Sequence, residues 1–379
     1  MIVSCTQENL IKAISITDKI ISPNTNLPIL GNILLEVDNR RLKISSTNLE
    51  IGINAWIGAR VEKPGSLTVP GRILINYISQ LPKKRIDLMV NKNILLVECE
   101  NFKASINGLS SKDFPIIPQI KEKPQIILKA SLFQQALSQV ISAVAPDESR
   151  PEIAGVLISL NNDFLKLVGT DSYRLAEKTL KLKTNFSDQK FILPSRIVYE
   201  IIRIMTQEKQ EVKITLAENQ VMFEYGWVNL ISRLIQGHYP DYEQIIPAKF
   251  KSKIILNRKN FIDAVKVAGL FTSKANDIKL KIKKQASSNK TGENALVEIL
   301  SESSEVGKNV SCIQGKLKGK GNLLVLNSRY LLDGLKNISS EKISLEMNDS
   351  GSPIMLRPYS STKIGTSPDY LYLIMPVKQ

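Results

Sequence analysis

The chain has few residues of the kinds that most enzymes use for chemistry. Its 379 residues include one histidine and three cysteines. The single histidine, His238, excludes a site built from several histidines, and three scattered cysteines exclude a disulfide framework or a thiolate zinc site. We interpret Cys5, Cys99 and Cys312 as small apolar residues of a protein core. No metal ion and no other cofactor is therefore expected.

Long apolar runs are also missing. No window approaches the length that crosses a bilayer, and the first residues lack a basic segment followed by an apolar one. Hydrophobic residues make up 43% of the chain, a fraction typical of globular proteins. We therefore expect a cytoplasmic protein with no membrane partner.

Acidic residues are outnumbered in this sequence. It contains 51 lysines and arginines against 36 aspartates and glutamates, for a formal net charge of +15. Such a surplus favours a polyanionic partner, of which nucleic acid is the usual one. A genome rich in A and T, which encodes much lysine, would produce the same surplus. Charge alone does not separate these two explanations.

Motifs for nucleotide hydrolysis or nucleophilic catalysis are weak. The segment from Gly315 to Gly321 is rich in glycine and lysine, but it lacks the Gly-Lys-Ser/Thr ending of a phosphate-binding loop. If nucleotide hydrolysis accompanies the function, another protein performs it. An enzyme stays open as an alternative, with its site near His238, and His238→Ala should then abolish turnover.

What the sequence does contain is one pattern that occurs three times, at a period of about 125 residues. Two strands joined by a turn are predicted at residues 31–48 and again at 155–171. A strand that runs into a helix recurs at Arg72, Arg196 and Arg329. An apolar helix recurs around Ala13, Ala136 and Ala264. A period of this length indicates repeated domains.

Each copy is predicted to contain a helix, paired strands, a second helix and further strands, so the fold class is α+β with mainly antiparallel sheet. Proline-marked stretches at residues 115–124 and 240–249 separate the copies. We predict three domains, at residues 1–120, 125–249 and 250–379. The third copy carries a polar insert near residues 285–294, to which the sequence assigns no role.

Every predicted helix carries a polar stripe beside its apolar face. Residues at positions i, i+4 and i+7 share one face of a helix, and in the second helix of the second copy these are Arg196, Glu200 and Arg203. Such a stripe by itself is typical of the solvated side of a surface helix. It indicates a binding surface only if all six helices face one place.

Several segments of the chain resemble the β subunit of bacterial DNA polymerase III, the bacterial sliding clamp family. The matching segments include Asn-Leu-Pro-Ile-Leu-Gly-Asn at 26–32 and Thr-Asp-Ser-Tyr-Arg-Leu-Ala at 170–176. Shorter matches lie at residues 46–50, 68–70, 113–115, 239–242 and 375–376. They occur in family order, in all three copies and over nearly the full length.

The resemblance implies three repeated DNA-clamp domains per chain, each with two helices packed on antiparallel sheet. It further implies a head-to-tail homodimer, closed as a six-domain ring around duplex DNA of any sequence. Such a ring is a processivity factor that tethers the replicative polymerase, and it is a non-catalytic subunit. The helix residues that would face the DNA are Lys12, Lys19, Arg72, Arg196, Arg203, Lys259, Lys266, Arg329 and Lys336.

The resemblance also implies a groove between the second and third domains that binds short hydrophobic peptides. The implied partners are the DNA polymerase III α subunit, the clamp loader δ subunit, other DNA polymerases, mismatch-repair proteins and ligase. The groove residues are Arg150, Ile153, Thr170, Ser172, Tyr173, Arg174, Leu175, Pro240, Ile245, Gly351, Pro353, Leu373, Ile374, Met375, Pro376 and Val377. The dimer contacts implied are Ala104, Ile106, Leu270 and Phe271.

A buried seam between two domains would explain the apolar groove residues equally well. A basic protein that binds nucleic acid by charge without encircling it is a further alternative. The repeats, the proline-marked linkers and the family segments together favour the clamp.

Overall fold

The computed structural model describes residues 1–21, 27–161, 163–182, 188–285, 294–360 and 369–377. Most of the polar insert, at residues 286–293, lies outside the described residues. The chain divides into two compact units. Unit 1 comprises Met1–Gln134 with Tyr199–Leu234, and unit 2 comprises Gln135–Val198 with Ile235–Gln379. The division falls within the second repeat.

Each repeat contributes two α-helices at the predicted positions. They are α1 (Gln7–Thr17), α2 (Gly71–Gln80), α3 (Ala130–Ile141), α4 (Ser195–Ile204), α5 (Arg258–Gly269) and α6 (Ser328–Lys336). Side-chain caps begin three of them, since Thr6, Asn257 and Asn327 accept hydrogen bonds from backbone N–H groups of the first turn. Among the described residues, no helix is long and apolar enough to cross a membrane.

The strands follow a common order in the three repeats, with one additional strand, β5, in the first. The first repeat contains β1 (Ile2–Thr6), β2 (Asn32–Asp38), β3 (Arg41–Thr47), β4 (Ile51–Gly58), β5 (Arg60–Lys63), β6 (Ser66–Pro70), β7 (Arg85–Asn91), β8 (Ile94–Cys99) and β9 (Phe102–Asn107). The second contains β10 (Ile126–Lys129), β11 (Gly155–Asn161), β12 (Phe164–Thr170), β13 (Arg174–Lys181), β14 (Gln189–Pro194), β15 (Glu211–Ala217), β16 (Gln220–Tyr225) and β17 (Val228–Arg233). The third contains β18 (Ser252–Asn257), β19 (Asp277–Lys284), β20 (Asn294–Ser303), β21 (Gly307–Lys318), β22 (Asn322–Asn327), β23 (Lys342–Met347), β24 (Ile354–Tyr359) and β25 (Tyr370–Ile374).

The expectation that each copy begins with a helix was wrong, because a short strand precedes it. β1, β10 and β18 end directly where α1, α3 and α5 begin, with no turn residue between them to mark the change in the sequence. One backbone hydrogen bond recurs at each of these junctions. It joins Gln7 N to Lys84 O at 2.9 Å, Ala130 N to Gln210 O at 2.8 Å, and Arg258 N to Glu341 O at 2.9 Å.

Unit 1 contains two antiparallel sheets. One has the strand order β5-β1-β7-β8-β9, and the other has the order β10-β15-β16-β17-β4-β3-β2-β6. The second sheet joins two repeats, because β17 of the second pairs with β4 of the first, Val228 opposite Ala55. Leu10 and Ile14 of α1 are fully buried in this unit, and the rings of Phe133 and Phe223 stack at 6.0 Å.

Unit 2 contains one sheet with the order β14-β11-β12-β13-β25-β24-β23-β18-β21-β20-β19-β22. Here β25 of the third repeat pairs with β13 of the second, Arg174 opposite Ile374. Helix α6 packs closely on this sheet, since a Cβ at Gly334 would overlap the ring of Tyr372. Tyr370, Tyr372 and Phe261 are fully buried there.

The cysteines were only partly predicted. Cys5 and Cys99 are buried as expected, but the prediction was wrong for Cys312, which is exposed. The alternation of β21 turns Cys312 away from the core side on which Leu317 is buried. Burial, reinforced by Asp87, raises the pKa of the Cys5 thiol to about 12.

Candidate functional site

An apolar floor lies on one face of the sheet in unit 2. Leu175 pairs with Leu373, and Leu373 pairs with Met355 across three neighbouring strands. Directly paired residues point to the same face of a sheet, so these side chains form a continuous surface. All three are at most 1% exposed, and Val168, Leu157 and Ile192 extend the same cluster.

The linker between the second and third repeats covers this floor. Tyr239, Tyr242, Ile246 and Phe250 pack on it. The Tyr239 hydroxyl donates to Val168 O at 3.3 Å, and the Tyr242 hydroxyl donates to Glu177 Oε2 at 2.8 Å. Burial, together with the Glu177 carboxylate, raises the pKa of Tyr242 above its ordinary value. The linker is therefore fixed by partly buried hydrogen bonds as well as by packing.

Exposed apolar side chains surround the covered floor. Tyr173 is 63% exposed, Ile245 44% and Val377 39%, whereas Met375 and Pro376 are half-buried. Apolar side chains that stay in contact with water beside a fixed floor are suited to binding an apolar ligand. The flexible thioether of Met375 suits contact with ligands of varied shape.

A tight turn between β12 and β13 presents Tyr173. Asp171 Oδ1 accepts hydrogen bonds from Tyr173 N and Arg174 N, both at 3.0 Å, and Thr170 Oγ1 donates to Arg174 O at 2.7 Å. Ser172 has a φ of 75°, in the left-handed region that such a turn requires. The turn is held by its own side chains, so its shape is set locally.

The first repeat contains the same turn. Asn48 Oδ1 accepts from Glu50 N and Ile51 N, Thr47 Oγ1 donates to Ile51 O at 2.9 Å, and Leu49 has a φ of 75°. An amide at position 48 therefore performs the backbone role of the carboxylate at position 171. The charge of Asp171 is available for a second task.

That second task is to bind Arg174. Its guanidinium lies 2.9 Å from Asp171 Oδ2 and 2.5 Å from Asp333 Oδ2 of α6, and it stacks on the Tyr330 ring at 4.3 Å. Burial disfavours this cation, but Tyr372 and the bond to Asp333 more than compensate and raise the pKa of Arg174. Arg174 thus stays charged and ties β13 to α6.

The C-terminal tail is held against the same turn. Met375 N donates to Tyr173 O at 2.8 Å, and Val377 N donates to Val325 O at 2.9 Å. On the other side of the turn, Arg150 Nη1 donates to Ser172 Oγ at 3.0 Å. These bonds bring the tail, the turn and residue 150 together.

The other predicted groove residues also lie in unit 2. Three of them are buried and support the groove from below its surface, namely Ile153, Thr170 and Ile374. Pro240 is half-buried at the start of the linker, and Gly351 and Pro353 lie in the turn between β23 and β24. The structure describes every residue of the predicted groove, and it shows which of them water can reach.

The nine predicted DNA-facing cations are all exposed. Eight lie on the polar sides of the α-helices, and Lys19 lies in a short 3-10 helix just after α1. Arg203 and Arg196 also bind other residues of the chain. Arg203 donates to Ser15 O at 3.2 Å and to Ile16 O at 3.1 Å, near the end of α1, and also pairs with Glu200. Arg196 lies 3.0 Å from Glu148. Arg203 therefore has a structural role in addition to the predicted one.

Two helices of unit 2 meet in an analogous way. Gln139 Nε2 of α3 donates to Asn337 O at the end of α6, at 2.7 Å, and Asn337 Nδ2 donates to Ser142 Oγ at 3.1 Å. In both units a polar side chain thus links the end of a repeat's second helix to the first helix of the preceding repeat.

The predicted dimer residues differ in exposure. Leu270 is 71% exposed, Ala104 and Phe271 are half-buried, and Ile106 is only 6% exposed. Sequence reasoning missed three other exposed apolar residues. They are Phe102 on β9, which is 50% exposed, Ile73 on α2, 56% exposed, and Val310 on β21, 63% exposed. An apolar residue on the polar face of a strand or helix was the signal that could have identified them.

His238 is exposed in the linker. Within the described ranges, no group of three or more His, Cys, Asp or Glu side chains is arranged to hold a metal ion.

Family comparisons cover nearly the whole chain. The DNA polymerase III beta subunit N-terminal domain matches residues 1–118, the central domain matches 127–241, and the C-terminal domain matches 243–378. The chain is 28% identical over 382 residues to the beta sliding clamp of Staphylococcus epidermidis, covering 98% of each. It is 28% identical over 372 residues to that of Staphylococcus aureus, covering 96% of this chain and 95% of the relative.

Solved structures resemble the chain over the same length. The DNA polymerase sliding clamp from Bacillus subtilis has a TM-score of 0.92 at 26% identity and covers 100% of this chain and 99% of its own. The DNA polymerase III beta chain from Streptococcus pneumoniae has a TM-score of 0.91 at 27% identity, with 100% of both chains covered. The subunit beta from Pseudomonas aeruginosa has a TM-score of 0.91 at 25% identity, also with full coverage.

Proposed function

This chain belongs to the DNA polymerase III beta subunit family and is a sliding clamp, a non-catalytic processivity factor, and we propose that it works as a head-to-tail homodimer closed around duplex DNA. Six domains would form the ring, three from each chain, at residues 1–120, 125–249 and 250–379. The three family matches support this division. A clamp acts where the chromosome is replicated, which in bacteria is the cytoplasm.

The proposed ring is supported by one type of junction between repeats, which occurs twice in the chain. The last strand of one repeat pairs with a strand of the preceding repeat, as β17 does with β4 and β25 does with β13. At each junction a second helix also contacts the first helix of the preceding repeat, through Arg203 or through Asn337. Two copies of the same contact support a third between chains.

The elements that would form the third contact lack a partner among the described residues. β9 is an edge strand that pairs only with β8, and the part of β21 from Gly307 to Ile313 pairs only with β20. Leu270 and Val267 are exposed on and just after α5, and Ile73 is exposed on α2. Such edges and apolar groups are normally covered. We assign β9 and α2 of one chain to β21 and α5 of the other.

The internal junctions also support one register for this pairing. Val228 and Tyr370 begin the last strands of their repeats, as Phe102 begins β9, and they pair with Ala55 and Lys178. The second and third repeats can be aligned at the Ser-Arg pairs that begin α4 and α6. When this alignment is carried from strand to strand through the paired residues, Lys178 of β13 is equivalent to Ser311 of β21. The proposed pairs are Phe102 with Ser311, Ala104 with Asn309 and Ile106 with Gly307.

A head-to-tail contact either closes into a ring or continues into a filament. In a ring, the exposed helix cations would present positive charge to the phosphate backbone, giving contacts that do not depend on sequence. A tethered polymerase would stay at a high effective concentration near the primer end. The mechanism is topological, and no residue of the clamp makes or breaks a covalent bond.

We propose that the apolar surface around Tyr173, Ile245 and Val377 binds short hydrophobic peptides of partner proteins. Candidate partners are the polymerase α subunit, the clamp loader δ subunit, other DNA polymerases, mismatch-repair proteins and ligase. The fixed floor and the exposed rim support a peptide site, because a ligand there would bury apolar groups that water now contacts.

Light scattering of the purified chain tests the dimer. We expect the mass of two chains for the native protein and of one chain for Leu270→Lys, because a lysine at this position would place a charge in the proposed apolar contact. Leu132→Lys is a matched control, since Leu132 is 47% exposed on α3 and lies outside the proposed interface. A Leu270→Lys protein that remains dimeric would contradict this assignment.

A further inference from the structure

A basic cavity of about 370 Å³ lies in unit 2, beside the linker that covers the apolar floor. Its lining includes five cations and one carboxylate. Neither the proposed DNA contacts nor the proposed peptide groove requires this net positive charge. The charged lining residues are Lys249, Lys251, Lys253, Lys318, Arg357 and Glu346. A cavity of this size can hold several atoms of a ligand rather than a single ion.

The carboxylate does not neutralise the cavity. Glu346 is 7% exposed, and its Oε1 lies 2.8 Å from Lys253 Nζ and 3.3 Å from Ser344 Oγ. One lysine is thus paired inside the cavity. Asp349 acts on Lys251 from nearby. In the part of the chain that the structure describes, no carboxylate lies within ion-pair distance of Lys249 or Lys318.

The cavity has a fixed shape. Lys251 N donates to Asn348 Oδ1 at 2.9 Å, and Asn348 Nδ2 donates to Lys249 O at 3.1 Å, so the end of the linker is bonded to the turn after β23. Gly319 has a φ of +105°, and a Cβ there would lie 2.5 Å from Lys251 O. The linker and the end of β21 therefore approach too closely for any other residue at position 319.

The cavity continues the proposed peptide groove. Lys318 pairs with Lys253, Lys253 with Glu346 and Glu346 with Met355, in the cross-strand row that includes Leu373 and Leu175. The groove floor and the cavity are thus one face of one sheet. On the surface, exposed Ile245 precedes Lys249 by four residues, a span of at most about 14 Å.

We propose that this cavity binds an acidic segment of the same partner peptide whose apolar residues occupy the groove. The inference rests on the proposed function of the groove and adds the chemistry of the partner. Carboxylates of the peptide complement the positive charge of the cavity. Because the groove and the cavity share one sheet face and an extended chain spans about 3.3 Å per residue, we place these carboxylates about four residues from the apolar anchor. The cavity would distinguish partners that have acidic flanks from partners that do not.

Fluorescent peptides test this inference on the full-length protein. Each probe has a Leu-Leu-Phe anchor, a two-residue Gly-Ser spacer and either four glutamates or four glutamines, and each is made with the flank before and after the anchor. We expect the better glutamate probe to bind about 5-fold more tightly than its glutamine twin, the size that two or three partly exposed ion pairs give. The difference should shrink as salt is raised.

The variant Lys249→Gln/Lys318→Gln should bind both twins with the affinity of the native protein for the glutamine probe. Lys279→Gln/Lys281→Gln, which removes two exposed lysines of β19, should keep the 5-fold difference and controls for net charge. Equal binding of the twins by the native protein would overturn the inference, and so would a preference that survives in the cavity variant. Free tetraglutamate that binds as tightly as the full probe would also overturn it, by indicating an anion site independent of the groove. If no probe binds, the proposed peptide groove itself is contradicted. If glutamate and glutamine probes bind equally, only the proposed acidic preference is contradicted.

Discussion

Arg174 Nη1 lies 2.5 Å from Oδ2 of Asp333, so the strand that carries the groove turn is bonded to a helix of the next repeat. Asp171 binds the same guanidinium while it shapes the turn that presents Tyr173. One arginine therefore links the proposed peptide site to α6, whose exposed side carries Arg329 and Lys336.

Asp171→Asn should separate the two tasks of this carboxylate. The amide can still accept from Tyr173 N and Arg174 N, as Asn48 does in the first repeat, but it no longer offsets the charge of Arg174. We expect a loss of about 1–3 kcal/mol in the free energy of unfolding. Denaturation followed by circular dichroism measures it. Asn48→Asp is the matched control and should change stability little, and equal effects of the two changes would contradict this division of roles.

Tyr173→Ala should weaken peptide binding without affecting folding. Its ring is 63% exposed, so its removal leaves no cavity in the core, but an aromatic anchor at a binding site is worth about 2 kcal/mol or more. We expect at least a 10-fold rise in the Kd of a hydrophobic peptide and an unchanged Tm. Tyr199→Ala, at a ring 57% exposed on α4, should leave the Kd unchanged. An unchanged Kd for Tyr173→Ala would remove Tyr173 from the site.

Arg72 and Arg203 should respond differently to substitution. Arg72→Gln should weaken DNA binding and reduce the slope of log K against log[salt] by about 0.9, the effect of one phosphate contact. Arg203→Gln should also destabilise unit 1, by about 1–3 kcal/mol, because it removes the bonds to Ser15 O and Ile16 O. Salt titrations of DNA binding and thermal unfolding of both variants measure the two effects. A stability loss in Arg72→Gln would contradict the contrast.

The buried thiol of Cys5 should make unit 1 less stable at alkaline pH. Its pKa is raised from 9.0 to about 12, so the folded protein holds this proton to a higher pH than the unfolded chain does. The stability it contributes is complete below pH 9 and is lost as the pH rises through about 12. Cys5→Ala should reduce the decline in unfolding midpoint over this range, whereas Cys312→Ala should not. Identical declines in both variants would contradict the assignment.

Disulfide trapping tests the register between chains. Ala104→Cys/Asn309→Cys places two thiols directly opposite across the proposed pair, where Cβ atoms lie about 4.5–5.5 Å apart. In a Cys312→Ser background we expect a covalent dimer on mild oxidation. Ala104→Cys/Val310→Cys should not link, because neighbouring residues of a strand point to opposite faces. Efficient linking of the Val310 variant alone would mean that the register is shifted.

The sequence predicted the repeats because their signals are local. The Ser-Arg starts of α4 and α6 and the turns at 47–51 and 170–174 can be read from single segments. Sequence alone could not predict that β17 pairs with β4, because that pairing joins residues about 175 positions apart and no local pattern specifies it. For the same reason the division of the second repeat between two compact units was not predicted.

The candidate site was predicted by resemblance, and its physical roles came from the structure. Arg203 has the pattern of a solvated stripe residue, yet its guanidinium binds backbone carbonyls of α1. Leu175 and Tyr173 are two residues apart in one motif, but Leu175 is buried within β13, whereas Tyr173 lies in the turn before β13 and is exposed. The basic cavity was missed because its lysines and its arginine come from three separate segments.

Retention on circular DNA distinguishes a closed ring from a protein that binds DNA by charge alone. The Ala104→Cys/Asn309→Cys protein is loaded on nicked circular DNA by a clamp loader with ATP, oxidised, and passed through a sizing column in high salt. We expect the protein to stay with the circles and to be lost when the same DNA is linearised, because a ring can leave only over an end. Equal loss from circular and linear DNA would contradict it and would indicate ordinary electrostatic binding.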